Sequence, residues 1–192
     1  MKFLTDFGDS AVLLPLSAVM LIWLLATRPA AAGVWWGVAL TFLSAVISTL
    51  KILFFACPPA ADINSPSGHT GFSLVVYGGL AVIIAAELRS IWARAAVLIL
   101  AVVLVFAIAD SRVMLEMHTS PETVIGFAVG AFALAIFRFG YLRTGPGKRR
   151  IVPLIIGIIV TAAIFHGIRL NPERELHMLS SLLGLRRLFC PH

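Results

Sequence analysis

Asn64-Ser65-Pro66-Ser67-Gly68-His69-Thr70 lies between two long apolar runs and sets a polar turn at the edge of hydrophobic chain. Pro66 fixes φ for a tight entry, Gly68 lets a ligand approach the backbone, and the apolar run that follows makes the turn a helix N-terminus. Free N–H groups at such a terminus favour an anion. A histidine at the same point can donate a proton to a leaving oxygen near neutral pH. The plainer alternative is an N-cap, with Ser67 or Ser65 starting a membrane helix and His69 as an interfacial residue.

The rest of the chain supports a membrane setting. Of 192 residues, 60% are hydrophobic and 12% charged, with mean hydropathy +1.00, too apolar for a soluble globular domain. Apolar runs of about 18 to 20 residues each cross a bilayer once. About six of them fill the sequence, near 11–26, 34–55, 67–86, 93–109, 121–138 and 151–168. The expected fold is all-α, a polytopic transmembrane helical bundle of about six spans forming a single domain over 1–192. Residues 171–192 place Leu176, Leu179, Leu182 and Leu183 near one helical face, as in an amphipathic tail lying in the interface.

A second polar cluster, Asp110-Ser111-Arg112 followed by His118 and Glu122, falls between two later runs on the same membrane face. It brings a guanidinium suited to phosphate oxygens and a second imidazole. Upstream, Lys51 lies inside the apolar segment Leu50-Lys51-Ile52-Leu53-Phe54-Phe55, a depth at which an ionisable residue marks a functional site by default.

Together these residues resemble the three-part signature of the type 2 phosphatidic acid phosphatase superfamily: a lysine, six residues and Arg-Pro; Pro-Ser-Gly-His; then Ser-Arg, five residues, His, three residues, Asp. Pro66-Ser67-Gly68-His69 matches in full, and Ser111-Arg112 with His118 matches at the family spacing. Lys51 and Pro59 fit the first part, but Pro58 stands at its arginine and Glu122 at the final aspartate. The resemblance implies a metal-independent lipid phosphatase without a cofactor. His118 would attack phosphorus to form a phosphohistidine, with Glu122 orienting it. His69 would protonate the leaving oxygen and then assist water. Lys51, Ser67, Arg112 and the Gly68 N–H would hold the phosphoryl oxygens. A substitute for the missing guanidinium would come from Arg169 or a tail arginine. The substrate would be a lipid phosphate or diphosphate, and the same residues would serve transfer to a lipid hydroxyl.

Each residue also has a structural reading. Lys51 can snorkel, Arg112 can pair with Asp110 or Glu116, and Thr119-Ser120-Pro121-Glu122 is a capping box. His166 reads as a packed polar residue. The missing arginine leaves room for a non-catalytic membrane scaffold or transporter. Ser67-Gly68 lacks the Gly-x-Ser-Gly pattern of an intramembrane serine protease. Ser48-Thr49-Leu50-Lys51 imitates a Ser-x-x-Lys nucleophile without its partner motifs. Without His-Glu-x-x-His, two histidines and a glutamate define no zinc site. Gly145-Pro146-Gly147-Lys148 lacks the first glycine and the following Ser or Thr of a phosphate loop.

The net charge of +6 is spread over loops, so membrane topology explains it better than nucleic acid does. With Lys51 and Arg112 set aside as site residues, the face opposite the motifs carries eight cations: Arg28, Arg89, Arg94, Arg138, Arg143, Lys148, Arg149 and Arg150. The motif face carries five: Lys2, Arg169, Arg174, Arg186 and Arg187. Cationic loops stay cytoplasmic, which puts the site on the periplasmic or exterior side of a bacterial inner membrane. Cys57 and Cys190 show no metal-ligand spacing. The N-terminal stretch, with one Lys against Asp6 and Asp9, reads as a span rather than a signal peptide.

Overall fold

Backbone amides in hydrocarbon must be satisfied within their own segment, so the long apolar runs form helices. The computed structural model describes residues 2–57, 59, 63–145, 151–170, 176 and 178, and every regular element among them is a helix. These are α1 (Lys2–Phe7), α2 (Ser10–Thr27), α3 (Ala30–Ala56), α4 (Gly68–Glu87), α5 (Ile91–Met114), α6 (Ser120–Arg143) and α7 (Ile151–Phe165). Phe3–Thr27, spanning α1 and α2, and helices α3 to α6 are long and apolar enough to cross a bilayer. At 15 residues, α7 rises only about 22 Å, short of a hydrocarbon core of about 30 Å.

The expected bundle is present, with corrections at its helix ends. The first expected span is α2, and it is preceded by the separate short helix α1; the two meet at Gly8-Asp9, where Asp9 caps α2 by accepting from the Ala11 N–H at 2.9 Å. Helix α3 begins at Ala30, directly after Pro29, because three alanines, the best helix formers, open it. Helix α5 continues to Met114, so Ser111 and Arg112 stand on its last turns rather than in a loop. Helix α7 ends at Phe165, three residues short of the expected Ile168. Most of the proposed amphipathic tail lies outside the described residues, as does Pro58.

Helix α4 is central, packed on α5 and α6, while α3 packs on α6 and α2 on α7 and α3. Trp36 anchors the core. Its indole N–H donates to the Ser17 carbonyl at 3.0 Å, and its ring meets Phe137 edge-on at 4.9 Å. Gly79 makes room for it, since a Cβ there would stand 2.7 Å from the indole. At the end away from the motifs, a partly buried Arg28–Glu87 ion pair ties the C-cap of α2 to α4, with Arg28 over the rings of Trp23 and Tyr141.

At the motif end the α4 and α6 backbones touch. A Cβ at Gly126 would lie 2.2 Å from the Ser67 carbonyl oxygen, and one at Gly130 would lie 2.7 Å from that of Gly71. The spacing Gly126-x-x-x-Gly130 is the small-residue pattern that lets membrane helices approach this closely. Gly126→Ala should therefore cost about 1–3 kcal/mol or more through overpacking and displace the Ser67 turn. Gly37→Ala, with open space at its Cβ, should be neutral or slightly stabilising. Thermal melting of both variants in detergent checks the contrast, and equal melting points would refute the backbone contact.

Candidate active site

Each motif reaches the site from a helix end. Lys51 comes from the last two turns of α3, Ser67, Gly68 and His69 from the start of α4, and Arg112 from the last turn of α5. His118 precedes α6, and Glu122 sits in its first turn. Helix ends at a membrane edge expose unpaired backbone groups and water-accessible polar side chains together, so sequence-distant residues can meet there.

Glu122 is the junction. Its Oε1 accepts from the backbone N–H groups of Asn64 and Ser65 at 2.6 and 2.8 Å. Its Oε2 pairs with His118 Nδ1 at 2.8 Å and accepts from the Thr119 N–H at 3.1 Å. The Thr119 hydroxyl accepts from the Glu122 N–H, completing a capping box. Capping and imidazole orientation, alternatives in the sequence, are thus both performed by one carboxylate. A carboxylate at Nδ1 places the proton on that nitrogen and the lone pair on Nε2, the tautomer an attacking imidazole requires. The His118 side chain is 2% exposed.

The Pro-Ser-Gly-His turn is fastened to the same helix. The Ser67 N–H donates to the Glu122 carbonyl at 2.9 Å. The Ser67 hydroxyl caps α4, accepting from the Thr70 N–H and hydroxyl at 3.4 and 3.0 Å. Lys51, 4% exposed, donates from Nζ to the Ser65 hydroxyl at 2.7 Å, so the buried ammonium reaches the turn rather than snorkelling away. Its Cε lies near the position a Cβ on Gly68 would take, at 3.6 Å, which brings Lys51 against the Gly68 backbone.

Arg112 is buried, and its Nη1 donates to the Met117 sulfur at 2.8 Å. Its carbonyl accepts from the Met117 and His118 N–H groups, a turn in which Glu116 takes φ 54°. Glu116 and Asp110 are exposed. The Ser111 hydroxyl bonds Thr5 at 2.7 Å and serves packing.

Several participants were not singled out in the sequence. Asp9 Oδ2 lies 3.6 Å from His69 Nε2. Ser65 receives Lys51, and Gly126 admits Ser67. For Gly126 the Gly-x-x-x-Gly spacing was the available signal; for Asp9 it was an acid just ahead of the first apolar run. Arg169, the suggested replacement cation, bonds Asp6 through Nε and Nη2 at 2.9 and 2.8 Å, with its side chain 48% exposed. His166 packs with tilted rings against Phe3 and Phe7, centroids at 4.6 and 4.8 Å, a packed residue as expected. Cys57, at the motif end of α3, is disulfide-bonded.

Comparison with known proteins agrees with the motifs. The model of the PAP2 superfamily matches residues 54–144. An uncharacterized 22.5 kDa protein in the cps region of Klebsiella pneumoniae is 26% identical over 140 residues, covering 71% of this chain and 66% of that protein, just under two thirds of its length. No solved structure matches.

The four N–H donors on Glu122 define a test. A glutamine can accept on only one side, so its NH2 faces either the Asn64 and Ser65 amides or His118 and Thr119. Glu122→Gln should lower stability by about 2–4 kcal/mol, because bonds to a charged acceptor are worth about 1.5–3 kcal/mol each. It should also lower turnover by a thousandfold or more, on the order seen for neutralised triad acids. Glu122→Asp keeps the charge and substantial turnover, but lacks the length for the capping box. Thermal melting and phosphate release would measure both, and a glutamine variant normal in each would refute the junction.

Proposed function

We propose that this chain, whose residues 54–144 match the PAP2 superfamily, is a membrane phosphatase that hydrolyses a lipid phosphate or diphosphate through a phosphohistidine. The observation that carries the reading is the His118–Glu122 pair, joined by the same carboxylate to the turn that bears His69. His118 Nε2 attacks phosphorus while the bond to the leaving oxygen breaks, and His69 gives that oxygen its proton. Water then attacks the phosphoenzyme, the P–N bond breaks, and inorganic phosphate departs with the His118 tautomer restored. Lys51, Arg112, the Ser67 hydroxyl and the Gly68 N–H neutralise the phosphoryl oxygens, where preorganised positive charge is most effective. No metal is needed for this charge balance.

Trapping the intermediate tests the reaction. Protein incubated with phosphatidate labelled with 32P at phosphorus and quenched in alkali should carry an acid-labile, alkali-stable phosphoryl group. His118→Ala should abolish the label and lower turnover on the order of a thousandfold or more. Turnover should survive EDTA. Label or turnover that persists in His118→Ala would reject the mechanism and favour a non-catalytic scaffold with contaminating activity. A phosphorylated lipid acceptor in place of free phosphate would identify the transferase variant.

The site faces away from the cytoplasm on this reading. The cation count supports it, and so does the bonded Cys57, because disulfides persist on the oxidising side of a membrane. With Cys57 bonded, engineered cysteines are the better reporters. Ser120→Cys on the motif face should react with an impermeant maleimide in intact cells, and Gly145→Cys on the other face only after permeabilisation. Both residues are exposed. The reverse pattern would invert the topology.

A further inference from the structure

Residues 7 to 9 run along one face of α4 in register. The Tyr77 hydroxyl donates to the Phe7 carbonyl at 2.7 Å. A Cβ on Gly8 would lie 3.2 Å from the Ser73 hydroxyl and 2.6 Å from Ile108, so this backbone is pressed into the groove between α4 and α5. Asp9 Oδ2 stands 3.6 Å from His69 Nε2. Since residues 69, 73 and 77 recur at intervals of four, they form one helical stripe. The turn between α1 and α2 is laid along it, with its acid at the motif end.

The Asp9 carboxylate is fixed from behind. It is 4% exposed, and its Oδ1 accepts from the Ala11 N–H at 2.9 Å and from the Leu170 N–H, just past α7, at 3.0 Å. That leaves Oδ2 for the imidazole. His69 Nε2 is sealed from solvent, while 15% of the side chain remains exposed, so the exposure belongs to the rest of the ring. The distance exceeds a hydrogen bond by a few tenths of an ångström, a gap that a side-chain rotation closes.

We propose that Asp9 is the positioning residue of His69: it holds the buried Nε2 edge so that the opposite, Nδ1 edge meets the leaving oxygen. The proposal rests on the phosphatase reading, and it assigns the α1–α2 turn a part in proton transfer that none of the three motifs contains. Each imidazole then has its own carboxylate, His118 from within its own helix turn and His69 from the N-terminal hairpin. Asp9 itself touches no substrate and acts through the ring.

A leaving-group comparison separates this role from a structural one. Aryl oxides leave without protonation, whereas alkoxides require an acid. The parameter kcat/KM reports only the phosphorylation step, so slow dephosphorylation does not enter. Asp9→Ser keeps a good N-cap for α2 and removes the carboxylate. It should lower kcat/KM on phosphatidate about a hundredfold or more, and on p-nitrophenyl phosphate less than about tenfold, the range in which general acids act. The ratio of the two losses does not depend on the folded fraction of the preparation. Asp9→Ser combined with His69→Ala should be no slower on phosphatidate than His69→Ala alone. Equal losses on both substrates, or a further loss in the double variant, would overturn the proposal. Activity that persists in His118→Ala would instead remove the phosphatase reading on which it rests.

Discussion

Four N–H donors from two separate parts of the chain meet on the Glu122 carboxylate: Asn64 and Ser65 from the loop before α4, and His118 and Thr119 from the turn before α6. A buried carboxylate is costly unless every such bond is made, and the donors are equally costly once it is withdrawn. The loop, the histidine and the first turn of α6 are therefore stable only together. The Ser67 N–H bond to the Glu122 carbonyl and the lack of a side chain at Gly126 bring α4 to this junction with its backbone in contact. The order of the motifs along the chain matters less than this meeting point.

The cations follow the same rule of internal satisfaction. A lysine within an apolar helix costs free energy unless a partner receives it, and Lys51 reaches the Ser65 hydroxyl, not lipid headgroups. Arg112 donates through Nη1 to the Met117 thioether. Both groups are buried and bonded within the protein. Arg169 is different: it is engaged by Asp6 and half exposed, so filling the role left by Pro58 would mean surrendering an existing ion pair.

The helical fold was legible because hydrocarbon leaves a chain few alternatives. Runs of apolar residues placed five long helices and the shorter α7 to within a few residues at most ends. Pairings across helices were less legible. The α1–α2 turn at Gly8-Asp9 lies ahead of the first apolar run, and Asp9 meets His69 across 60 positions, a contact without local periodicity. Motif spacing identified His118, Glu122, Lys51 and Arg112, yet it posed capping and orientation at Glu122 as alternatives. They coexist because a carboxylate has two oxygens, each able to accept more than one bond. The extra methylene of glutamate, where the family motif has aspartate, supplies the reach that the capping box needs.

The two imidazoles are held with different firmness, and the difference matches the tasks proposed for them. His118 is 2% exposed and bonded to its carboxylate at 2.8 Å; His69 is 15% exposed, with its carboxylate at 3.6 Å. A nucleophile profits from rigidity, because in-line attack demands a lone pair fixed in both direction and tautomer. A group that first protonates a leaving oxygen and then takes a proton from water serves two partners that arrive in turn at the same face of phosphorus. Slight freedom about a fixed anchor allows both, whereas a short bond would favour one. The anchor also comes from elsewhere: the α1–α2 turn that bears Asp9 is fastened by Tyr77 on α4 and by the Leu170 amide beyond α7. The setting of His69 thus depends on parts of the chain that lie outside the three motifs.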